Sequence, residues 1–225
     1  MATPARTSAT AAATRGRRSY RHGDLRRALL DAGVALAREG GPDAVVLREA
    51  TRRAGVVPNA AYRHFAGRQA LLDAVRIVAL DQLALAMEQQ MAVAAQVAEP
   101  ADRARALLRA VGVAYVGFAE SQPGLFRTAF SGTAAPAAPV TEPVTEPVDL
   151  PANGRDPLAL LGSALDAMVA ADVLPAARRP GAEYLAWSTV HGFAVFLLDG
   201  PLRSVTTDQR GALGERLLAM VERGL

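Results

Sequence analysis

Four residues, Gly55-Val56-Val57-Pro58, limit what this chain can build. Glycine ends helices by taking the left-handed conformation that a side chain disfavours, and proline opens them because its missing N–H would be unpaired in a first turn anyway. Only two valines separate the stop from the start, so the flanking segments are short helices joined by a tight turn. Leu47, Ala50 and Ala54 mark the first of them. The second, within GVVPNAAYRHF, sets Ala61 and Phe65 at i, i+4 for burial and turns Asn59, Tyr62, Arg63 and His64 outward. A helix-turn-helix whose second member ends by Phe65 is the expectation.

The surrounding sequence repeats the helical spacing. Asp24 after Gly23 is read as an N-cap, and Leu25, Leu29, Ala32 and Leu36 form an amphipathic stripe that Gly40-Gly41-Pro42 stops. Beyond Ala66-Gly67 a long pattern runs through Leu71, Val75 and Val78 toward Met91, with Pro100 as its latest stop. Leu108, Val111, Tyr115 and Phe118, then Leu158, Leu161, Leu165 and Met168, step in the same way. Strand-type alternation never persists. The fold class is all-α: an N-terminal three-helix helix-turn-helix domain, 19–66, joined to a larger C-terminal helical bundle, 67–225.

Residues 1–18 are small, polar and basic without periodicity, so a disordered basic arm is expected there. Ser131 to Gly154 contains five prolines and the repeat PVTEPVTEP, which forms neither helix nor core; it reads as an extended surface loop, tolerated as an insertion or used as a docking segment. The last two helices have more apolar surface than one partner covers. In Gly181 to Asp199 one face carries Tyr184, Trp187, His191 and Ala194 and another Leu185, Thr189, Gly192 and Phe196, while Leu213, Leu217 and Met220, beside Leu218 and Val221, widen the final stripe. Either the subunit core absorbs both faces or a two-fold four-helix interface covers them; the second explains the excess better.

Charge is unevenly spread. Residues 1–76 hold 14 Arg against 6 Asp plus Glu, a net of +8, which leaves 11 against 16, a net of −5, for residues 77–225. A polyanion-binding module on an acidic body has this distribution, and a merely solvated basic face is its rival. With no cysteine there is no disulfide framework, thiolate metal site or cysteine nucleophile. Arg17-Arg18 is followed by polar residues where a signal peptide needs an apolar run, and Tyr184 to Leu198 is shorter than the ~20 residues of a membrane span. A soluble cytoplasmic protein is expected, with no cofactor, metal or membrane partner.

From Tyr20 to Val75 the sequence resembles the TetR family of one-component transcriptional regulators. Ala54-Gly55-Val56 followed by Tyr62-x-x-Phe65-x-x-Arg68-x-x-Leu71-Leu72 carries the likeness most specifically. The remainder is similar to the subgroup with a WHG C-terminal domain, through Ala114 to Gly132 and through Trp187, His191 and Gly192. There are departures. Val46 and Val57 stand where the family usually caps the two short helices with Thr or Ser, Thr51 replaces a small alanine, and Arg68 replaces a lysine.

The resemblance implies a dimeric repressor that binds a palindromic operator in double-stranded DNA and is released by a small-molecule effector in the C-terminal bundle. By analogy Val57, Pro58, Asn59, Ala60 and Arg63 lie nearest the bases. Asn59 suits adenine, Arg63 guanine, and Pro58 and Ala60 thymine methyl groups. Tyr62, His64, Arg68 and Arg48 fall to the phosphates, which position a domain without specifying sequence. Arg17, Arg18 and Arg21 reach a minor groove or remain solvated. Tyr62 and His64 have simpler rivals, as a core-completing ring and a solvated helix-end side chain, and Arg52 and Arg53 read as a solvated face. Tyr115, Phe118, Phe126, Phe130, Met168, Trp187 and His191 offer a surface for an apolar or aromatic effector, or else ordinary core. A homodimer through the last two helices follows. A ligand-independent sequence-specific DNA binder is the alternative. An enzyme using His191, paired with Asp166 if the fold brings the two together, is the remote one: no recognisable catalytic motif occurs.

Overall fold

The computed structural model of the chain describes residues 22–131 and 156–225. The expected basic arm, with Arg17, Arg18 and Arg21, and the proline-rich segment beyond Ser131 lie outside the described residues. Among the described residues there are nine α-helices and no strand: α1 His22–Gly40, α2 Leu47–Ala54, α3 Pro58–Ala61, α4 Arg68–Ala94, α5 Pro100–Ser121, α6 Pro123–Ala129, α7 Pro157–Ala170, α8 Ala182–Leu198 and α9 Thr207–Gly224. Helices α3, α5, α6 and α7, and the 3-10 turn Pro42–Ala44, have proline in the first turn.

Helix α1 is already formed at His22, so Asp24 lies within its first turn and is not the N-cap. An acidic residue is favoured at both places, by capping in one and by the helix dipole in the other, and the sequence alone does not separate them. Helix α2 matches its expected span. Gly55 closes it with φ 69° and ψ 30°, and the N–H groups of Gly55 and Val56 donate to the carbonyls of Arg52 and Thr51, a Schellman motif. Helix α3 is shorter than expected. Regular geometry ends at Ala61, and a further turn brings the N–H groups of His64 and Phe65 back to the Ala61 carbonyl at 2.9 Å, which seats Phe65 in the core.

One apolar cluster runs through both halves of the molecule. Leu29, Leu36, Val45, Leu47, Ala50, Ala61 and Phe65 fill the space among α1, α2 and α3. Helix α4 carries that core into the bundle: a Cβ at Gly33 would stand 2.8 Å from Val75 Cγ2, so α1 and α4 approach closely. Helix α6 docks against the end of α1 more tightly still. A Cβ at Gly124 would lie 2.2 Å from the Ala37 carbonyl oxygen and 2.6 Å from that of Arg38. Helix α5 crosses α9 at Gly112, where a Cβ would meet Leu218 Cδ2 at 2.3 Å, and Arg105 and Arg109 of α5 pair with Glu222 and Glu215 of α9. The buried stripe of α9 is Leu218 and Val221, continued by the C-cap Leu225; Met220 faces outward, and Leu213 and Leu217 are half-buried.

Candidate nucleic-acid interface

The surface around α3 is built from the residues that the core does not use. Ala61 and Phe65 anchor the turn inward. Val57 and Tyr62, 69% and 60% exposed, project outward with Pro58, Asn59 and Arg63, while Ala60 and His64 are half-buried. Val46 and Val57 occupy the N-cap positions of α2 and α3 in extended conformation, and neither helix has a side-chain cap. The N–H groups that open each helix therefore have no side-chain acceptor; in α3 Pro58 has none to offer and that of Ala60 donates to the Val57 carbonyl at 3.0 Å, which leaves the Asn59 N–H open. Between α2 and α3 lies an open groove of about 610 Å³ lined by Val46, Arg48, Glu49, Thr51, Arg52, Val56 and Pro58.

Arginines here divide into two groups. Arg48 and Arg63 are exposed and have no side-chain hydrogen bond or ion pair among the described residues. Arg52 and Arg53 are held: Arg52 donates to Glu49 at 2.7 and 2.9 Å, and Arg53 grips Glu39 through two 2.7 Å bonds while reaching Glu49. The Arg52 hydrogen bond, with that of Arg53, outweighs desolvation and lowers the Glu49 carboxyl to about 2. The acidic residues beside the groove are thus neutralised. Arg26 covers the Phe65 ring at 5.4 Å, a cation–π contact.

Arg68 has an internal role that the sequence did not suggest. Its Nε donates to the Val45 carbonyl at 3.0 Å and its Nη2 to that of Pro42 at 2.8 Å, with Asp43 at 3.5 Å. The carbonyls of Val45 and Pro42, the second of which also accepts from the Val45 N–H at 3.2 Å, and the Asp43 carboxylate are thereby tied to the start of α4. These partners lie more than twenty positions upstream, so no local spacing marks them. Thr51 is buried and donates its hydroxyl to the Arg48 carbonyl at 2.7 Å, which makes a polar residue acceptable where α2 meets its neighbours.

In the bundle, Tyr115, Phe126, Phe130, Trp187 and His191 form one aromatic cluster. The Tyr115 hydroxyl and His191 Nδ1 are 2.6 Å apart. Tyr115 also meets Phe126 and Trp187 edge to face at 5.5 and 5.2 Å. Burial pushes the Tyr115 phenol far up and the His191 imidazole down, so both partners are uncharged near neutral pH. Phe118 and Met168 line neither space beside this cluster and are core residues. An inner cavity of about 30 Å³ borders Tyr115 and Trp187; an outer cleft of about 200 Å³ borders Phe126, Phe130 and His191. The inner one has room for a water or two, far below the ~300–1,000 Å³ of a drug-sized site. Asp166 is elsewhere, accepting from Arg179 at 2.7 Å, so no His191–Asp166 pair exists.

Residues 29–75 match the family model for bacterial regulatory proteins of the tetR family, and residues 108–221, half of the chain, match the tetracyclin repressor-like C-terminal domain. The chain belongs to the TetR family. Membership makes it a DNA-binding transcriptional regulator and not an enzyme. A protein of unknown function from Rhodococcus sp. RHA1 shares 29% identity over 93% of this chain and 99% of its own, with a TM-score of 0.69. The TetR-family regulator PfmR from Thermus thermophilus has 20% identity over 88% and 98%, TM-score 0.52. FadR from Bacillus subtilis, solved with stearoyl-CoA, has 16% identity over the same shares, TM-score 0.55. These last two support the TetR fold alone. No curated protein matches the sequence. Among the described residues no helix is long and apolar enough to cross a membrane.

Proposed function

We propose that this TetR-family chain is a cytoplasmic dimeric repressor that reads a palindromic operator with α3 and leaves it when a small apolar or aromatic ligand occupies the C-terminal bundle. The observation that carries the reading is the outward face from Val57 to Arg63, uncapped and unpaired, beside acidic residues that Arg52 and Arg53 neutralise. A helix of one regular turn suffices, because only a helix end enters the major groove, about 12 Å wide. Asn59 pairs with adenine and Arg63 with guanine, and Pro58 and Ala60 touch thymine methyl groups. Arg48, Tyr62 and His64 contact phosphates. Arg68, held by two carbonyls, orients the turn before α2 and offers the backbone only its remaining donor, Nη1.

Dimerisation is supported by the outer face of α8, where Leu185, Val195 and Phe196 remain exposed around Ser188 and Gly192. Nothing approaches the Gly192 Cβ position within 4 Å, which leaves room for a second helix to cross there. Effector control is supported by the uncharged aromatic cluster and by the relative whose structure contains stearoyl-CoA. An inducer must bind the released state more tightly; a 10⁴-fold preference corresponds to ~5.5 kcal/mol. The inner cavity of about 30 Å³ favours the second reading, a sequence-specific binder without a ligand.

Selection from random duplexes tests the proposal. The enriched pool should contain an inverted repeat with half-sites about 10 bp apart. Arg63→Ala should relax one base position in each half-site by about 1–3 kcal/mol of discrimination. A pool without symmetry, or one unchanged by Arg63→Ala, would contradict it.

A further inference from the structure

The Tyr115–His191 hydrogen bond stands between two spaces that share no lining residue. Along α8 the inner cavity is bordered by Ala186, Trp187 and Val190, and the outer cleft by the succeeding turns, from His191 to Asp199. Phe126 of α6 and Phe130, the residue that caps it, form the cleft's other side. Phe126 stacks on the His191 ring at 5.6 Å with planes 29° apart, and Phe130 meets that ring edge-on at 4.9 Å. An opening of about 200 Å³ with such sides fits one or two planar rings and not a long chain.

Polar groups at the cleft decide which ring compound fits. Arg127 Nε and Nη2 donate to the two Asp199 carboxylate oxygens at 2.9 and 2.6 Å, so the acidic group is satisfied on both atoms. Arg127 Nη1 has no acceptor among the described residues. In the tautomer that gives the buried Tyr115 hydroxyl an acceptor, His191 Nδ1 receives its hydrogen bond and Nε2 carries the proton, with no acceptor among the described residues. In that tautomer the cleft has two unmatched donors, Arg127 Nη1 and His191 Nε2, of which the arginine's is present in either. A cationic ligand would have to displace Arg127 from Asp199, whereas an anion adds to donors already in place.

We propose that this cleft between α6 and the C-terminal half of α8 is the effector site and that it takes a small aromatic carboxylate, its ring against Phe126 and Phe130 and its oxygens on Arg127 and His191. The assignment rests on the reading of the bundle as an effector domain. It also gives occupancy a route inward: an acceptor on Nε2 polarises the imidazole that Tyr115 holds, and Tyr115 forms the boundary with the inner cavity.

Trp187 is the sole tryptophan and contacts Tyr115 and Phe130 at 5.2 and 6.0 Å, so its emission reports on the cluster. The full chain is titrated with 4-tert-butylbenzoate and with the isosteric 4-tert-butylbenzylamine and 4-tert-butylbenzyl alcohol, with calorimetry alongside. The benzoate should saturate and bind about tenfold or more tighter than either isostere. Arg127→Gln and His191→Phe should each remove about tenfold of that affinity, while Arg216→Gln on α9 leaves it unchanged. Circular dichroism checks folding, and if His191→Phe fails to fold, Arg127→Gln decides. Equal affinities for the three probes, no saturable binding of the benzoate, or full affinity in the folded variants would overturn the assignment. A parallel titration of the protein–DNA complex separates the two readings: benzoate binding without DNA release upholds the site and overturns its inducer role.

Discussion

Val57 occupies a position where a helix gains from a side-chain acceptor and supplies none. Val57→Ser should therefore raise stability by about 1 kcal/mol, a shift of about 2–4 °C in Tm, measured by thermal unfolding. Arg68→Ala should do the opposite. Two hydrogen bonds from a guanidinium are lost, and with partial exposure discounting them the variant should unfold about 1–2 kcal/mol more easily. Its DNA affinity should fall for every sequence alike, in contrast to Arg63→Ala. His191 adds a pH dependence. Burial holds its pKa below 6.5, so the unfolded chain takes up a proton that the folded chain refuses. Stability should fall as the pH drops through 6.5 toward the folded value, and His191→Phe should flatten that part of the profile. Neither Arg68 nor His191 could be given a partner from the sequence. Tyr115 is 76 positions from His191, and only the packed bundle brings the two within 2.6 Å. Val57, by contrast, was legible as an N-cap because Pro58 follows it.

Helices were legible where their ends carry chemistry. Gly41, Gly55 and Gly181 all have positive φ, between 69° and 79°, and each marks a boundary that spacing alone would blur. Helix α8 begins and ends within one residue of its expected limits, between Gly181 and Asp199. Helix α6 was not separated from α5, because a single residue, Gln122, stands between them and the apolar pattern continues across it. Its position is nevertheless tightly constrained. Gly124→Ala would place a Cβ against two backbone carbonyls of α1, which cannot rotate aside as a side chain can. We expect a loss of about 1–3 kcal/mol in thermal or urea unfolding, with backbone shifts at the end of α1. Because α6 contributes Phe126, and its C-cap Phe130, to the aromatic cluster and Gly124 to the contact with α1, it joins that cluster to the helix-turn-helix end. The stripe of α9 misled for a simpler reason. Its leucines and methionine spread over an arc of about 160°, and only contact with α5 selects Leu218 and Val221 for burial.

At the scale of the whole molecule, charge and apolar surface are segregated. Fourteen arginines fall within residues 1–76, the part of the sequence that contains the helix-turn-helix, whereas Leu185, 65%, and Phe196, 51%, are exposed on α8. Such a pair of surfaces suits a two-fold assembly that presents two reading heads about 34–36 Å apart. Leu185→Glu combined with Phe196→Glu should give a monomer in light scattering, fold unchanged, with operator affinity lower by about 10²-fold or more as the second contact is lost. That this chain reads sequence through α3 is tested by fluorescence anisotropy over a range of salt concentrations, with the selected operator beside a scrambled duplex of the same length. We predict that both affinities fall linearly with the logarithm of salt and that the operator remains about 10³-fold tighter or more throughout. Equal affinity for the two duplexes at every salt concentration would contradict it, and would reduce the arginine-rich face to a nonspecific polyanion binder.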